Sequence, residues 1–234
     1  MKSHLKRTIK KVSPSHLIAK RKDKATVVEF GEQFGLVYFG FVSQQDDEHK
    51  LVRGLTLSTK HTDAHYCIGT YDNYDVTFVE RRDNITDTRS SHKIAHQWHI
   101  MTFDLHTSLE LPHVFVGRHS HSESFYKQLF TKYSSLRSLL LGNLGVYKAE
   151  FLSEYRVYGQ PAKIIEIESL LSPLAAEMVT KHFGTLAIEI KNSTLYVYSE
   201  KPRLSLPLLE AMIKNGVWLA RHIDMNAQVL QQVD

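Results

Sequence analysis

Over residues 94–105 the side chains divide into two alternating sets. His99, Met101, Phe103 and Leu105 fall on one face, and Trp98, Ile100, Thr102 and Asp104 fall on the other. A period of two with aromatic and β-branched residues predicts a strand packed on one side. After Ser108-Leu109-Glu110-Leu111-Pro112 the chain turns and a second strand runs to Gly117. Upstream, residues 26–30 and 34–42 read as apolar strands punctuated by Gly31 and Gly35, and 51–57 as another. Residues 65–70 and 76–80 flank Tyr71-Asp72-Asn73-Tyr74-Asp75, which has the composition of a tight hairpin turn. The polar segments 44–49 and 81–91 read as loops.

Downstream the period changes. Phe125, Leu129, Tyr133, Leu136 and Leu140 recur at helical spacing, and Gly142-Asn143 with Gly145 stop them. Residues 147–158 read as a strand, and 164–171 fit either a short helix or a loop. Ser172 with Pro173 has the form of an N-cap followed by N1, predicting a helix to Phe183 that ends at Gly184. Leu186, Ile188 and Ile190, the turn Asn192-Ser193, then Leu195 and Val197 predict a hairpin with one buried face. Ser205 caps a last helix with the apolar stripe Leu209, Met212, Ile213, Ala220 and Ile223. The fold class expected is α+β. An antiparallel-rich sheet, or sheets, would occupy the first half, and strand-helix-hairpin-helix the second. Residues 25–234 read as one unit; its alternative division is 25–145 and 146–234.

Charge alters this picture at one end. The formal net charge of +4 is unevenly placed. Residues 1–24 hold nine bases (Lys2, Lys6, Arg7, Lys10, Lys11, Lys20, Arg21, Lys22 and Lys24) against one acid, Asp23. The rest of the chain has 20 bases and 24 acids, a net −4. The first 24 residues therefore read as a flexible basic tail. Leu5, Ile9 and Val12 would form an apolar stripe if its start were helical. Attraction to anionic lipid or to nucleic acid follows from such a tail, and either would weaken with salt. No apolar run approaches the roughly 18–20 residues of a membrane span, and the N-terminus lacks the apolar core of a signal peptide. A cytoplasmic protein is expected, at the inner face of the membrane if the tail meets lipid.

The one cysteine, Cys67, excludes an internal disulfide and reads as a small strand residue. The chain is rich in histidine, with 14, clustered as His61 and His65; His92, His96 and His99; His119 and His121. On a helix His92, His96 and His99 would share a face at zinc-ligand spacing. On a strand His99 faces away from the other two. A zinc or other divalent site built from His61, His65, His92 and His96, completed by Asp63 or Asp104, is the metal alternative; otherwise no cofactor is expected. Full protonation would raise the formal charge to +18, so binding to anionic surfaces should strengthen in acid. Phosphate-loop, nucleophile-elbow, dinucleotide and zincin motifs are absent from the sequence. Glu166 and Glu168 read as solvated, and Tyr196 and Tyr198 as rings packed on the outer face of the late hairpin.

The order of elements resembles a family of uncharacterised bacterial domains, a domain of unknown function that relatives carry behind one or two N-terminal transmembrane helices. The resemblance rests on Gly69-Thr70-Tyr71 with Val76-Thr77-Phe78, on 101–105, Leu111-Pro112 and 114–116, and on Phe151 with Tyr155-Arg156-Val157. Leu171-Ser172-Pro173, 188–198 and 208–223 complete it. It covers roughly 65–225 and implies no activity, cofactor or site residue. A basic tail stands where those relatives have apolar anchors, so attachment would be electrostatic and peripheral. The leading expectation is a non-enzymatic binding or scaffolding module whose partner is an anionic membrane surface or another protein. The alternatives are a nucleic-acid-associated protein using the same tail, and a histidine-based metal-dependent hydrolase.

Overall fold

The strands expected over 94–117 are β4 (Lys93–Asp104) and β5 (Leu111–Arg118), and they do not pair with each other. Between them lies the late hairpin, β8 (Ala187–Asn192) and β9 (Thr194–Ser199), so the chain's two halves share one sheet. The computed structural model describes residues 14–41, 61–86, 93–121, 125–126, 130, 135–201 and 203–231. The remaining strands are β1 (Val37–Gly40), β2 (Thr62–Tyr71), β3 (Tyr74–Thr86), β6 (Arg137–Leu139) and β7 (Tyr155–Gly159). Their order is β1-β2-β3-β4-β9-β8-β5-β7-β6, and neighbours run antiparallel. The β2–β3 turn places Asp72 and Asn73 at φ 55° and 67°. Two successive left-handed residues make the hairpin turn that matches strand twist, and Asp and Asn tolerate it best after glycine.

Helices α1 (Pro14–Phe34), α2 (Ala149–Glu154), α3 (Ile164–Leu170), α4 (Pro173–His182) and α5 (Leu206–Gln231) supply the apolar side chains that meet one sheet face. Phe78, Met101, Phe103, Val114, Val116, Ile188, Ile190, Leu195 and Val197 line that face of the sheet. The stripe of α5, Leu209, Met212, Ile213, Ala220 and Ile223, is fully buried against them. Contact there is close enough that a Cβ on Gly216 would collide with the Phe103 ring. Ser172 caps α4 by accepting from the Ala175 N–H at 3.3 Å, and Gly184 follows at φ 56°. The opposite sheet face carries Tyr66, Trp98, Ile100, Phe115, Tyr158, Tyr196 and Tyr198. Tyr126, Phe130 and Leu136 pack over part of it.

Several local expectations are corrected. Residues 26–30 are the middle of helix α1, and that helix crosses the boundary drawn at residue 24. Val27, Phe30 and Phe34 at i, i+3, i+7 bury one helical face, a spacing the apolar run concealed. The segment 137–139 is the edge strand β6, where Leu139 packs into the helix-covered core while Leu140 stays 90% exposed. Residues 149–154 are helical before β7 begins at Tyr155. Residues 81–86, read as loop, extend β3 and pair with β4 through Thr86↔Lys93. Glu168, read as solvated, is 1% exposed and accepts from the N–H groups of Gly142, Asn143 and Leu144 at 2.6–3.1 Å. Burial pushes its carboxyl up, yet those donors outweigh burial and hold it below its usual range. The expected strand at 51–57 lies outside the described residues.

Candidate functional site

Of the nine expected cationic residues, Lys2, Lys6, Arg7, Lys10 and Lys11 lie outside the described residues. Lys20, Arg21, Lys22 and Lys24 belong to helix α1, and the last three are exposed. The cations therefore sit on a helix whose other end is locked into the core by Phe30 and Phe34, with ring centroids 5.0 Å apart. Asp23 turns toward the sheet. Burial raises its carboxyl above the usual range, as does the neighbouring charge of Glu80. The Lys24 ammonium lies 6.0 Å from the centroid of the Tyr38 ring on β1.

The histidines expected to share a metal find separate partners. His61 Nε2 is 3.8 Å from Asp63 Oδ2, while His65 Nδ1 and the Tyr38 hydroxyl are 2.9 Å apart. His65 has φ 59° where the β2–β3 register shifts between Ala64 and Cys67. His96 belongs to β4, two strands from β2, which is roughly 10 Å across a sheet. His92 lies outside the described residues. Among the described residues no group of three or more His, Cys, Asp or Glu is placed to hold a metal ion. His99 is fully buried on the helix-covered face beside Glu80, and burial pushes its imidazole down to about 4. Cys67 is fully buried, and burial pushes its thiol up to about 11, far from nucleophile range. Asp104, the other carboxylate proposed for a metal, is raised by burial and held by Thr194.

Polar groups concentrate on the second sheet face. Arg81, fully buried, donates from Nε and Nη2 to the two oxygens of Asp63 at 2.8 and 2.7 Å, and the Tyr66 hydroxyl donates to Asp63 at 3.2 Å. Glu189, also fully buried, accepts from the Tyr198 hydroxyl and lies 2.7 Å from His113 Nε2. Tyr198 is thus a buried ring whose hydroxyl is a donor. Farther along, Glu200 meets His121 Nε2 at 2.8 Å and His96 Nε2 at 3.3 Å, the latter out of line for a hydrogen bond. Burial pushes the Glu200 carboxyl up, but the two imidazoles outweigh it and hold it down at about 2. His121 stacks on Phe125, their centroids 4.1 Å apart.

His121 and Glu200 open onto a cleft of about 340 Å³ with Phe115, Tyr126 and Ala187 as its apolar lining and Arg118 and Lys201 among its polar groups. Arg118 is tied to Glu154 at 3.0 Å and to the Gly184 carbonyl. Such a cleft has the mixture of apolar walls and a few polar groups that suits a small ligand. Ser172 and His222 do approach, with Oγ 2.9 Å from Nε2. That hydroxyl caps α4 and the same Nε2 lies 3.0 Å from Asn226 Nδ2, so both groups are engaged in holding helices together. Sequence reasoning missed Asp63–Arg81, Glu189–His113 and Glu200. Each contact joins residues 18 to 79 positions apart, and the sheet's strand order brings them together.

Among the described residues no helix is long and apolar enough to cross a membrane. No family model matches the chain, and no curated protein matches it. The chain is similar in fold to the crystal structure of the mycobacterial trehalose monomycolate transport factor A. The TM-score is 0.53 and the sequence identity 10%, over 89% of this chain and 96% of that one; at this identity the likeness is one of fold alone.

Proposed function

We propose that this protein is a non-enzymatic binding module that sits peripherally on an anionic membrane, in the cytoplasm, through the cationic N-terminal part of α1. One observation carries the reading: Arg21, Lys22 and Lys24 are exposed on a helix whose C-terminal half is embedded in the core. A rigid mount keeps cations together at one end, and each Lys or Arg near an anionic lipid surface adds roughly 1 kcal/mol. The rest of the chain, net −4, favours contact at that end over a long basic track. A planar surface touched at one point tolerates an acidic body beyond a Debye length, about 8 Å at physiological salt. A nucleic-acid groove does not. The fold shared with a transport factor supports, more weakly, a module that binds without transforming its ligand.

Co-sedimentation with phosphatidylcholine vesicles, with and without phosphatidylserine, tests the reading in rising salt. Wild-type protein should bind only the anionic vesicles, and more weakly as salt rises. Arg21→Glu/Lys22→Glu/Lys24→Glu should bind about a hundredfold more weakly. Equal binding by both proteins would overturn the reading. Tighter binding to duplex DNA or RNA than to the vesicles would replace it with the nucleic-acid alternative.

A further inference from the structure

At the β6 end the sheet's edge is incomplete. β6 stops at Leu139, opposite Val157. The first two residues of β7, Tyr155 and Arg156, therefore have β5 on one side and, among the described residues, no strand on the other. A cleft of about 270 Å³ opens there, between the chain that leaves β6 through Leu140 and Leu141 and helix α2, which carries Leu152. The residues that line it all belong to the described part of the chain. Because the cleft wraps round a strand edge, both sheet faces reach it. Tyr155 lines it from the helix-covered side, and Ser138 and Arg156, one position out of phase with the core residues Leu139 and Val157, line it from the other.

Arg156 is the cation of this cleft. It is half-buried, and its Nε donates to His119 Nδ1 at 3.1 Å. An imidazole that accepts there leaves the guanidinium charge unbalanced. Arg81, Arg82, Arg118 and Arg221 each meet an aspartate or a glutamate. Among the described residues Arg156 meets neither, and its two Nη groups have no hydrogen-bond partner. A partly desolvated guanidinium without a counter-charge favours an oxyanion, which two coplanar Nη groups can hold by parallel hydrogen bonds. Beside it the cleft is apolar: Leu152 is 46% exposed, and Leu140, the most exposed, stands at the rim.

We propose that this cleft binds a small amphiphilic carboxylate, its head on the Nη groups of Arg156 and its hydrocarbon tail along Leu140, Leu141 and Leu152. Size selects this occupant. The free edge of β7 spans two residues, about 7 Å, whereas an added strand takes roughly three residues or more. The volume lies near the lower end of small-molecule sites, which suits a short chain. The site is at the opposite end of the sheet from β1, and α1 packs on β1 and β2, so it is independent of the membrane contact proposed above.

Isothermal titration calorimetry on the full chain tests this with octanoate, with acetate as the probe that lacks the tail and octanol as the probe that lacks the charge. Octanoate should saturate a single site with a Kd of about 1 mM or tighter, and the other two should bind at least tenfold more weakly. Arg156→Gln should weaken octanoate by about tenfold or more, and Arg156→Lys, which keeps the charge and loses the fork, by less. Leu140→Ser/Leu152→Ser should weaken it by a similar factor through the tail. Thermal melting checks that each variant is folded, and the leucine variant carries the test if Arg156→Gln is not. Arg21→Glu/Lys22→Glu/Lys24→Glu should bind octanoate as wild type does, which separates this site from the membrane contact. The proposal is overturned if wild type shows no saturable binding, if octanol binds as tightly as octanoate, or if folded Arg156→Gln binds octanoate as well as wild type. Loss of octanoate binding in the α1 variant would place the anion on that helix and overturn it as well.

Discussion

The sheet's two faces are stabilised by different means. The helix-covered face is hydrocarbon almost throughout, from Phe78 and Phe103 to the stripe of α5. The opposite face mixes rings with buried and half-buried polar groups: Arg81 on Asp63, Glu189 on Tyr198 and His113, and the half-buried Glu200 between His121 and His96. Hydrocarbon packing tolerates neighbours of similar size and shape, so it stabilises without choosing one register over another. A buried ion pair adds little net stability over an apolar substitute, yet losing one partner is costly. On this face a one-residue slip of β3 would carry Arg81 off Asp63. The polar face therefore specifies the pairing of β2 with β3, and the apolar face supplies the bulk of the stabilisation.

The sharpest test of that contrast is Arg81→Met, which strands the Asp63 carboxylate in the interior. It should cost about 3–5 kcal/mol in urea unfolding, while Asp63→Leu/Arg81→Met should recover most of the loss. A double variant as unstable as the single one would show that the ion pair stabilises in its own right.

A second test addresses a polar island on the helix-covered face, His99 beside Glu80. An unfolded imidazole takes its proton near pH 6.5, whereas burial delays this one to about 4. Between those values the unfolded chain binds more protons, so stability falls as pH falls and levels off below 4. The loss from this residue amounts to at most about 3 kcal/mol. His99→Gln should flatten the stability profile between pH 6.5 and 4. An unchanged slope would assign the acid sensitivity to other groups.

The smallest effect belongs to the apolar face itself. Ile188→Val removes one methylene from a fully buried position and should cost about 1 kcal/mol at any pH. A pH-dependent cost would mean that the two faces are coupled through β8, where Ile188 and Glu189 are adjacent.

Much of the fold is legible where local physics has no competitor. Alternation over 98–105 marks β4, Asp72-Asn73 marks the β2–β3 turn, and Ser172-Pro173 marks the start of α4. The spacing of Leu209, Met212, Ile213, Ala220 and Ile223 marks the buried face of α5. Short or uniformly apolar segments mislead, because a run such as 26–30 fits either period and three residues at 137–139 fit none. The candidate site was half legible. The basic residues stand out as a cluster in sequence, but only the burial of Val27, Phe30 and Phe34 shows that Arg21, Lys22 and Lys24 are carried on a helix packed into the core. Histidines close in sequence are likewise no guide to neighbours in space: His61, His65 and His96 each meet a different partner.

By itself, then, the sequence determined which residues turn, which cap, and which alternate, because those depend on backbone preferences within a few residues. The folded chain alone shows that the hairpin β8–β9 enters between β4 and β5, that Arg81 meets Asp63, and that the cationic run continues into a helix buried at its far end. Strand partners are chosen by burying whole faces against helices far along the chain, and no local pattern carries that choice.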